Sequence, residues 1–173
     1  MKLQNSTDRL ALTISTCGVG LIPFAPGTFG ALVGLVIFYG LFILCKAAPQ
    51  YFQACLILVS LIISALGIWA GNRGEHIFGE KDAQRIVVDE VAGQLISFIL
   101  VAPLLVAEIS KPMVVMIAGF LLFRAFDIWK PYPIKQLQDL PAGLGVMFDD
   151  IVAGIYAAVV LSFLSLVAPQ LLY

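Results

Sequence analysis

The stretch LALTISTCGVGLIPFAPGTFGALVGLVIFYGLFILC, residues 10–45, contains no charged side chain. One helix needs about 20 apolar residues to cross a bilayer, so this stretch is too long for a single straight span. Pro23, Pro26 and Gly27 interrupt it with residues that favour turns. The stretch therefore predicts two membrane-embedded segments with a turn between them.

Further apolar runs fill most of the remaining chain, which is 61% hydrophobic and only 12% charged. Soluble domains carry about 25% charged residues, so this composition excludes an ordinary soluble protein. We predict an all-α, polytopic membrane helical bundle, a single domain over 1–173 with about five membrane-embedded helices and short interfacial helices. The predicted segments are 10–24, which is re-entrant or interfacial, and 28–45, 51–70, 91–107, 113–127 and 151–167.

Charge and cysteine usage exclude other classes. A net charge of −1 offers no basic face to nucleic acid. The three cysteines form no Cys-x-x-Cys pair, which argues against a thiolate metal site or a disulfide framework. The N-terminal region lacks a good cleavage site for a signal peptide, so we expect it to be retained.

Lysine and arginine are distributed unevenly between the two sets of predicted loops. With the N-terminus inside, one set holds eight of the ten basic residues, which favours a cytoplasmic location for those loops. Only Lys46 and Lys111 lie on the other side. The cytoplasmic set is Lys2, Arg9, Arg73, Lys81, Arg85, Arg124, Lys130 and Lys135.

Two acidic doublets stand at predicted helix starts on this cytoplasmic side. Asp89-Glu90 precedes the third full span and Asp149-Asp150 the last one, and a D-x-V-A-G pattern begins at Asp89 and again at Asp150. Acids can simply complement the dipole at a helix N-terminus. Placing carboxylates at the edge of membrane spans nevertheless costs free energy, which makes these residues candidates for function.

A fifth acid accompanies the two doublets. Asp127 is flanked at intervals of three by Arg124 and Lys130, which places the three side chains on roughly one helical face. Asp82, Arg85, Asp89 and Gly93 likewise recur at helical spacing, although Arg85 can merely pair with its acidic neighbours.

Carboxylates without histidine or cysteine favour Mg²⁺, which proteins commonly bind through one or two acids together with substrate phosphate. Arg124, Lys130 and Lys135 can hold the phosphate oxygens. The glycine-containing turn at Gly27 and Thr28 can offer backbone N–H groups to phosphate, with Thr28 also capping the next helix, and residues 143–145 form a similar loop before the second doublet.

Four sequence blocks resemble the phosphatidylglycerophosphatase A family, and they run in family order from residue 18 to residue 154. They are Gly18-x-Gly20-x-x-Pro23-x-x-Pro26-Gly27-Thr28-x-Gly30, Ile86-Val87-Val88-Asp89-Glu90-x-x-Gly93, Phe123-Arg124-x-x-Asp127-x-Trp129-Lys130-Pro131-x-Pro133-Ile134 and Gly143-x-Gly145-Val146-Met147-x-Asp149-Asp150-x-x-Ala153-Gly154.

This resemblance implies a Mg²⁺-dependent enzyme of the bacterial inner membrane that converts phosphatidylglycerol phosphate to phosphatidylglycerol. By motif, Asp89, Glu90, Asp149 and Asp150 are implied as catalytic and, with Asp127, as metal ligands. Arg124 and Lys130 are implied to bind phosphate. We predict Gly27, Thr28, Asp82 and Lys135 as further phosphate or substrate residues. The chain departs from some members at Lys81 and at 141–143, where those members have histidine. His76, the single histidine, is predicted to lie in a loop.

The amino-acid sequence excludes several other phosphatase mechanisms. No cysteine is followed by arginine at the Cys-x5-Arg spacing, a second histidine is lacking, and no Asp-x-Asp occurs. Direct in-line attack by water activated at a metal ion remains. Two alternatives stay open: a phosphatase for another lipid or isoprenoid phosphate, and a small cation or proton transporter. The absence of an acid at the centre of any predicted span argues against the transporter.

Overall fold

A computed structural model describes residues 5–81, 83–107 and 112–172, and every regular element within those ranges is a helix. Two single 3₁₀ turns, Cys45–Ala47 and Pro49–Tyr51, connect helix α2 (Pro26–Leu44) to helix α3 (Phe52–Phe78). The prediction of an all-α bundle is thereby confirmed. The helices are α1 Ser6–Thr16, α2 Pro26–Leu44, α3 Phe52–Phe78, α4 Val88–Ile96, α5 Ala102–Ala107, α6 Pro112–Trp129, α7 Ile134–Leu137, α8 Gly143–Val167 and α9 Pro169–Leu172.

Four helical segments are long and apolar enough to cross a membrane. They include the predicted spans 28–45, 51–70, 113–127 and 151–167, and two of the helices extend well beyond those spans: α3 continues to Phe78 and α8 already begins at Gly143. Apolar runs mark what a bilayer can cover, whereas a helix continues through polar residues beyond it. The four segments are Pro26–Ala47, Pro49–Phe78, Pro112–Trp129 and Gly143–Val167.

The predicted segment 10–24 forms the short helix α1 followed by turns. Asn5 caps α1 by accepting a hydrogen bond from the backbone N–H of Asp8 at 2.9 Å. Eleven residues give a helix of about 16 Å, too short to cross a bilayer of about 30 Å. This helix packs along α3, and its placement in or beside the membrane stays a prediction.

The single helix predicted over 91–107 is wrong, because a turn over residues 97–101 separates α4 from α5. Pro103 has no N–H group and cannot continue the hydrogen bonding of α4 into α5. The carbonyl of Ile99, which an amide at position 103 would normally reach, instead accepts a hydrogen bond from Gln53 Nε2 of α3 at 3.0 Å. A side chain from a neighbouring helix therefore supplies the hydrogen bond that this carbonyl lacks within its own helix.

Helix α4 occupies the centre of the bundle, in contact with α2, α3 and α8. All of its residues are buried apart from Glu90 and Ile96, which are half-buried. Beyond its C-terminal end, the ring of Phe98 stacks on Phe38 of α2 at a centroid distance of 4.1 Å. The apolar core is therefore built around a helix whose first turn carries two acids.

Candidate active site

Small residues bring α4 and α8 into backbone contact. A Cβ atom on Gly154 would stand 3.1 Å from the Cα of Gly93, and one on Gly93 would stand 2.6 Å from the carbonyl oxygen of Asp150. Neither glycine can therefore carry a side chain without moving the helices apart. Gly30 and Gly34 allow the same close approach of α2 to α4.

This crossing gathers three carboxylates into one group. Oxygen atoms of Asp89, Glu90 and Asp150 all lie within 4.8 Å of one another. Asp89 and Asp150 are only 7% and 3% exposed. Asp89 Oδ1, Glu90 Oε2 and Asp150 Oδ2 are buried and have no hydrogen-bond partner among the described residues. Buried oxygens without a hydrogen-bond partner suit the coordination of a cation, because such groups are otherwise costly to bury.

The electrostatics of the group favour the same interpretation. Burial raises the pKa of Asp89 well above its usual range, and the charges of Glu90, Asp150 and Asp149 raise it further. Burial likewise raises the pKa of Glu90 to about 7. Several ionised acids at this spacing need a cation to be stable. The donor set, all carboxylate oxygens, fits Mg²⁺ or a similar hard divalent ion.

Asp127 and Asp149, the other two predicted metal ligands, lie in ion pairs. Arg124 Nη1 donates to Asp127 Oδ2 within α6, and Lys130 Nζ donates to Asp149 Oδ2 at 2.7 Å. Burial lowers the pKa of Lys130, but the hydrogen bond and charge of Asp149 outweigh it and leave the pKa raised. These two acids therefore hold the cationic side of the site, adjacent to the three-carboxylate group.

Both groups line one cavity of about 360 Å³, which we name the carboxylate cavity. Eight of the predicted site residues meet there, from helices α2, α4, α6 and α8 and from Lys130 just after α6. They are Gly27, Asp89, Glu90, Arg124, Asp127, Lys130, Asp149 and Asp150. The other lining residues are Pro23, Ala25, Pro26, Gln84, Ile86 and Ile128.

Two predicted phosphate or substrate residues, Thr28 and Lys135, do not line the described part of the cavity. Thr28 lies in the first turn of α2 and does not cap it; the cap position is Ala25, and no side chain caps this helix. Lys135 lies exposed on α7, and neither Thr28 nor Lys135 is among the cavity-lining residues described. Asp82 lies outside the described residues.

The second doublet does not stand at a helix start. Asp149 and Asp150 lie in the second turn of α8, so the helix-dipole explanation applies only to Asp89 and Glu90. Residues 143–145 were predicted as a phosphate-binding loop, but they form the first turn of α8, where the N–H of Gly143 donates to Asn72 Oδ1 of α3 at 2.7 Å. The predicted helical stripe through Arg85 is also wrong, because Arg85 lies in a turn before α4.

His76 was predicted to lie in a loop. It is exposed in the last turn of α3 instead, and it does not line the described part of the carboxylate cavity.

Two wall residues, Gln84 and Ile128, were not predicted from the sequence. Ala25 adopts a left-handed backbone conformation with φ of 45°, directly before α2. Lys130 does the same with φ of 47°, directly after α6. Non-glycine residues in this region often mark functional sites, but only a structure reveals them.

Comparison with known proteins gives a consistent family. The model of the family described as PgpA, phosphatidylglycerophosphatase A, matches residues 12–165. A Bacteroides thetaiotaomicron protein, provisionally named phosphatidylinositol-3-phosphatase, is 38% identical over 84% of this chain and 86% of its own length. No solved structure gives a significant match.

Two relatives carry the family's own name, phosphatidylglycerophosphatase A. The Escherichia coli protein is 31% identical over 95% of this chain and 86% of its own length. The Haemophilus influenzae protein is 35% identical over 83% of this chain and 80% of its own length. The resemblance carried by the four sequence blocks is confirmed, and the chain is a phosphatase that belongs to the phosphatidylglycerophosphatase A family.

Proposed function

We propose that the protein removes the terminal phosphate of phosphatidylglycerol phosphate, releasing phosphatidylglycerol and inorganic phosphate, with Mg²⁺ as cofactor. The observation that carries the proposal is the carboxylate cavity, in which three buried carboxylates with unpartnered oxygens lie beside Arg124 and Lys130. Cations and a divalent-ion site on the walls of one cavity suit a phosphate monoester.

Asp89, Glu90 and Asp150 would hold the ion. When bound, Mg²⁺ neutralises charge on the phosphoryl group as it is transferred to water. Arg124 and Lys130 bind and orient the remaining phosphate oxygens, since the Nε of Arg124 has no partner among the described residues and Lys130 can donate further hydrogen bonds. A carboxylate of the three-acid group accepts the proton of the attacking water, while Asp127 and Asp149 keep the two cations in position.

The names of the relatives suggest two candidate lipid substrates. Two relatives are phosphatidylglycerophosphatases, and one is provisionally named for phosphatidylinositol 3-phosphate. Both lipids carry a phosphate monoester on a headgroup that is itself joined to the lipid through a phosphate diester. The family match favours phosphatidylglycerol phosphate, and phosphatidylinositol 3-phosphate is the second candidate because the 38% relative bears its name.

We place the cavity at the cytoplasmic face of the bacterial inner membrane. In the described part of the chain, Arg124 and Lys130 line the cavity at the end of α6, and Lys81 and Arg85 lie in the segment that leads into α4. Lys46 lies after α2, at the other end of that helix from the cavity residue Gly27. An excess of basic residues at the cavity end supports a cytoplasmic location.

The test is phosphate release by the purified protein in detergent. We expect release from phosphatidylglycerol phosphate with Mg²⁺, loss of release with EDTA, and loss of at least about 100-fold in Asp89→Asn and Asp150→Asn. Asp139→Asn is the matched control, because Asp139 is exposed and does not line the described cavity.

Phosphatidylinositol 3-phosphate and an isoprenoid phosphate are assayed in parallel, and a higher kcat/KM on either would replace the proposed substrate. Full activity in both aspartate variants would overturn the carboxylate site. Selective ion flux in liposomes without phosphate release would favour the transporter.

A further inference from the structure

A second cavity of about 330 Å³ adjoins the carboxylate cavity. The two share Pro23, Pro26 and Gln84 as wall residues. The second cavity is also lined by Arg85, and we name it the Arg85 cavity. A ligand that extends past the shared residues can therefore occupy both cavities at once. The complete set of its described lining residues is Gly20, Leu21, Ile22, Pro23, Pro26, Glu80, Gln84 and Arg85.

Arg85 is a cation that lines this second cavity. Its guanidinium carbon lies 5.4 Å from the ring centroid of Phe78, and within the described residues it forms no ion pair. Arg124 and Lys130, the cations of the first cavity, are by contrast each paired with an aspartate. An arginine stacked on an aromatic ring keeps its N–H groups free to donate to an anion.

The backbone around Arg85 is fixed in place. The N–H of Val87 donates to the carbonyl of Ser15 at 2.8 Å, which ties this segment to the end of α1. Gly20 lies against the Arg85 backbone so closely that any side chain at position 20 would clash with it. The position of Arg85 beside the site therefore follows from packing between two chain segments.

We propose that the Arg85 cavity binds the phosphate diester of the substrate headgroup while the phosphate monoester lies in the carboxylate cavity. This inference rests on the proposed function and deepens it. Arg85 precedes Asp89 by four residues, so their Cα atoms lie at most about 14 Å apart. The long Arg85 side chain and the walls shared by the two cavities allow one headgroup to contact both sites. Gln84, in the shared wall, is placed to hydrogen bond to the polyol between the phosphates.

The arrangement defines a substrate class. A lipid with both a monoester and a diester phosphate fills both cavities, whereas phosphatidic acid, which has only a monoester, leaves the Arg85 cavity empty. Glu80 also lines this cavity and is exposed, so its charge, screened by water, offsets part of the attraction of Arg85. Arg85 is therefore a specificity-determining residue for the headgroup.

The experiment compares kcat/KM of Arg85→Ala on short-chain phosphatidylglycerol phosphate and on short-chain phosphatidic acid. Loss of a charge-assisted hydrogen bond predicts a fall of about 10- to 100-fold on the first lipid, mainly through KM, and no change on the second. Arg85→Lys should recover part of the loss. Lys81→Ala, which removes an exposed cation outside the lining of both cavities, should change neither value.

An equal fall on both lipids would overturn the proposal, because it would mean that Arg85 only supports the fold or the catalytic group. An unchanged value on both would overturn it as well. If the unaltered protein hydrolyses neither lipid, the proposed function fails separately, and binding of phosphatidylglycerol is measured instead. That lipid retains the diester, so Arg85→Ala should weaken its binding about 10-fold or more, and equal binding would refute the subsite.

Discussion

Gly154 of α8 lies against the backbone of Gly93 of α4, and each glycine follows an aspartate of the site by four residues. Four residues are about one helical turn, so a crossing at the two glycines sets Asp89 and Asp150 opposite each other one turn earlier. The repeated D-x-V-A-G pattern thus has a physical explanation: the glycines allow the approach that brings the acids together.

The glycine crossing predicts that Gly154→Ala damages the protein. Alanine has the higher helix propensity by about 1 kcal/mol, but its Cβ would collide with the Gly93 backbone and separate α4 from α8. We expect a loss of stability of about 1–3 kcal/mol and a fall in phosphatase activity of at least about tenfold. Thermal unfolding in detergent and phosphate release measure the two effects.

Gly40→Ala is the matched control, because Gly40 is also helical and a Cβ there would meet nothing within 4 Å. It should leave activity intact and change stability by no more than about 1 kcal/mol, in the favourable direction. Equal behaviour of the two alanine variants would contradict the role assigned to the crossing.

A divalent ion should stabilise the protein through the three-acid group. At about 100 times its dissociation constant, Mg²⁺ should add about 2.7 kcal/mol to the free energy of unfolding. Asp150→Asn should raise Tm in EDTA, because it removes one of several mutually repelling buried charges, and should reduce the rise in Tm on adding Mg²⁺. Measuring Tm in EDTA and at increasing Mg²⁺ concentrations, for both the unaltered protein and the variant, tests both expected changes. An undiminished Mg²⁺ effect in Asp150→Asn would rule out this acid as a ligand.

The same burial predicts a pH dependence of the metal-free protein. The pKa of Glu90 is raised from 4.5 to about 7, so the native state holds a proton that the unfolded chain releases. Stability should therefore fall as pH rises from about 4.5 to about 7 and level off above that, with Asp89 acting in the same direction. Tm measured in EDTA across this range should decline, Glu90→Gln should reduce the decline, and a rising Tm would contradict the assignment.

The Lys130 ion pair predicts an unequal cost of removing two nearby lysines. Lys130→Met leaves Asp149, whose side chain is 5% exposed, without its lysine partner, and should destabilise the protein by about 2–4 kcal/mol. Lys135→Met removes an exposed charge on α7 and should change stability by less than about 0.5 kcal/mol. Urea or thermal unfolding of the two variants side by side tests the difference, and similar values would show that the Asp149 pair contributes little.

Much of the bundle and most of the site could be predicted from the sequence, because long apolar runs and one-sided charges are local properties. The break between α4 and α5 could not, since it depends on Gln53 of a distant helix reaching the Ile99 carbonyl. The sequence also did not predict which acids form ion pairs and which form the three-carboxylate group. Spacing put Asp127 beside Arg124, but only the packing of α8 shows that Lys130 pairs with Asp149 while Asp150 joins Asp89 and Glu90.

The start of α8 allows two predictions of opposite sign. Ala142, at the cap position, has φ of 50° and ψ of −141°, a conformation that glycine adopts far more easily than alanine. Ala142→Gly should therefore stabilise the protein by about 1 kcal/mol. The free energy of unfolding, obtained from denaturant titration in detergent, measures this, and a loss of stability would show that the alanine side chain contributes packing worth more than the strain.

Asn72→Ala should have the opposite effect at the same helix start. It leaves the N–H of Gly143 without its acceptor and should cost about 1 kcal/mol of stability. Because α8 carries Asp149 and Asp150 in its second turn, a loosened start should also lower kcat more than it raises KM. Gln136→Ala, an exposed change on α7, controls for general effects of removing a polar side chain, and an equal loss in that variant would show that the Asn72 contact does not position α8.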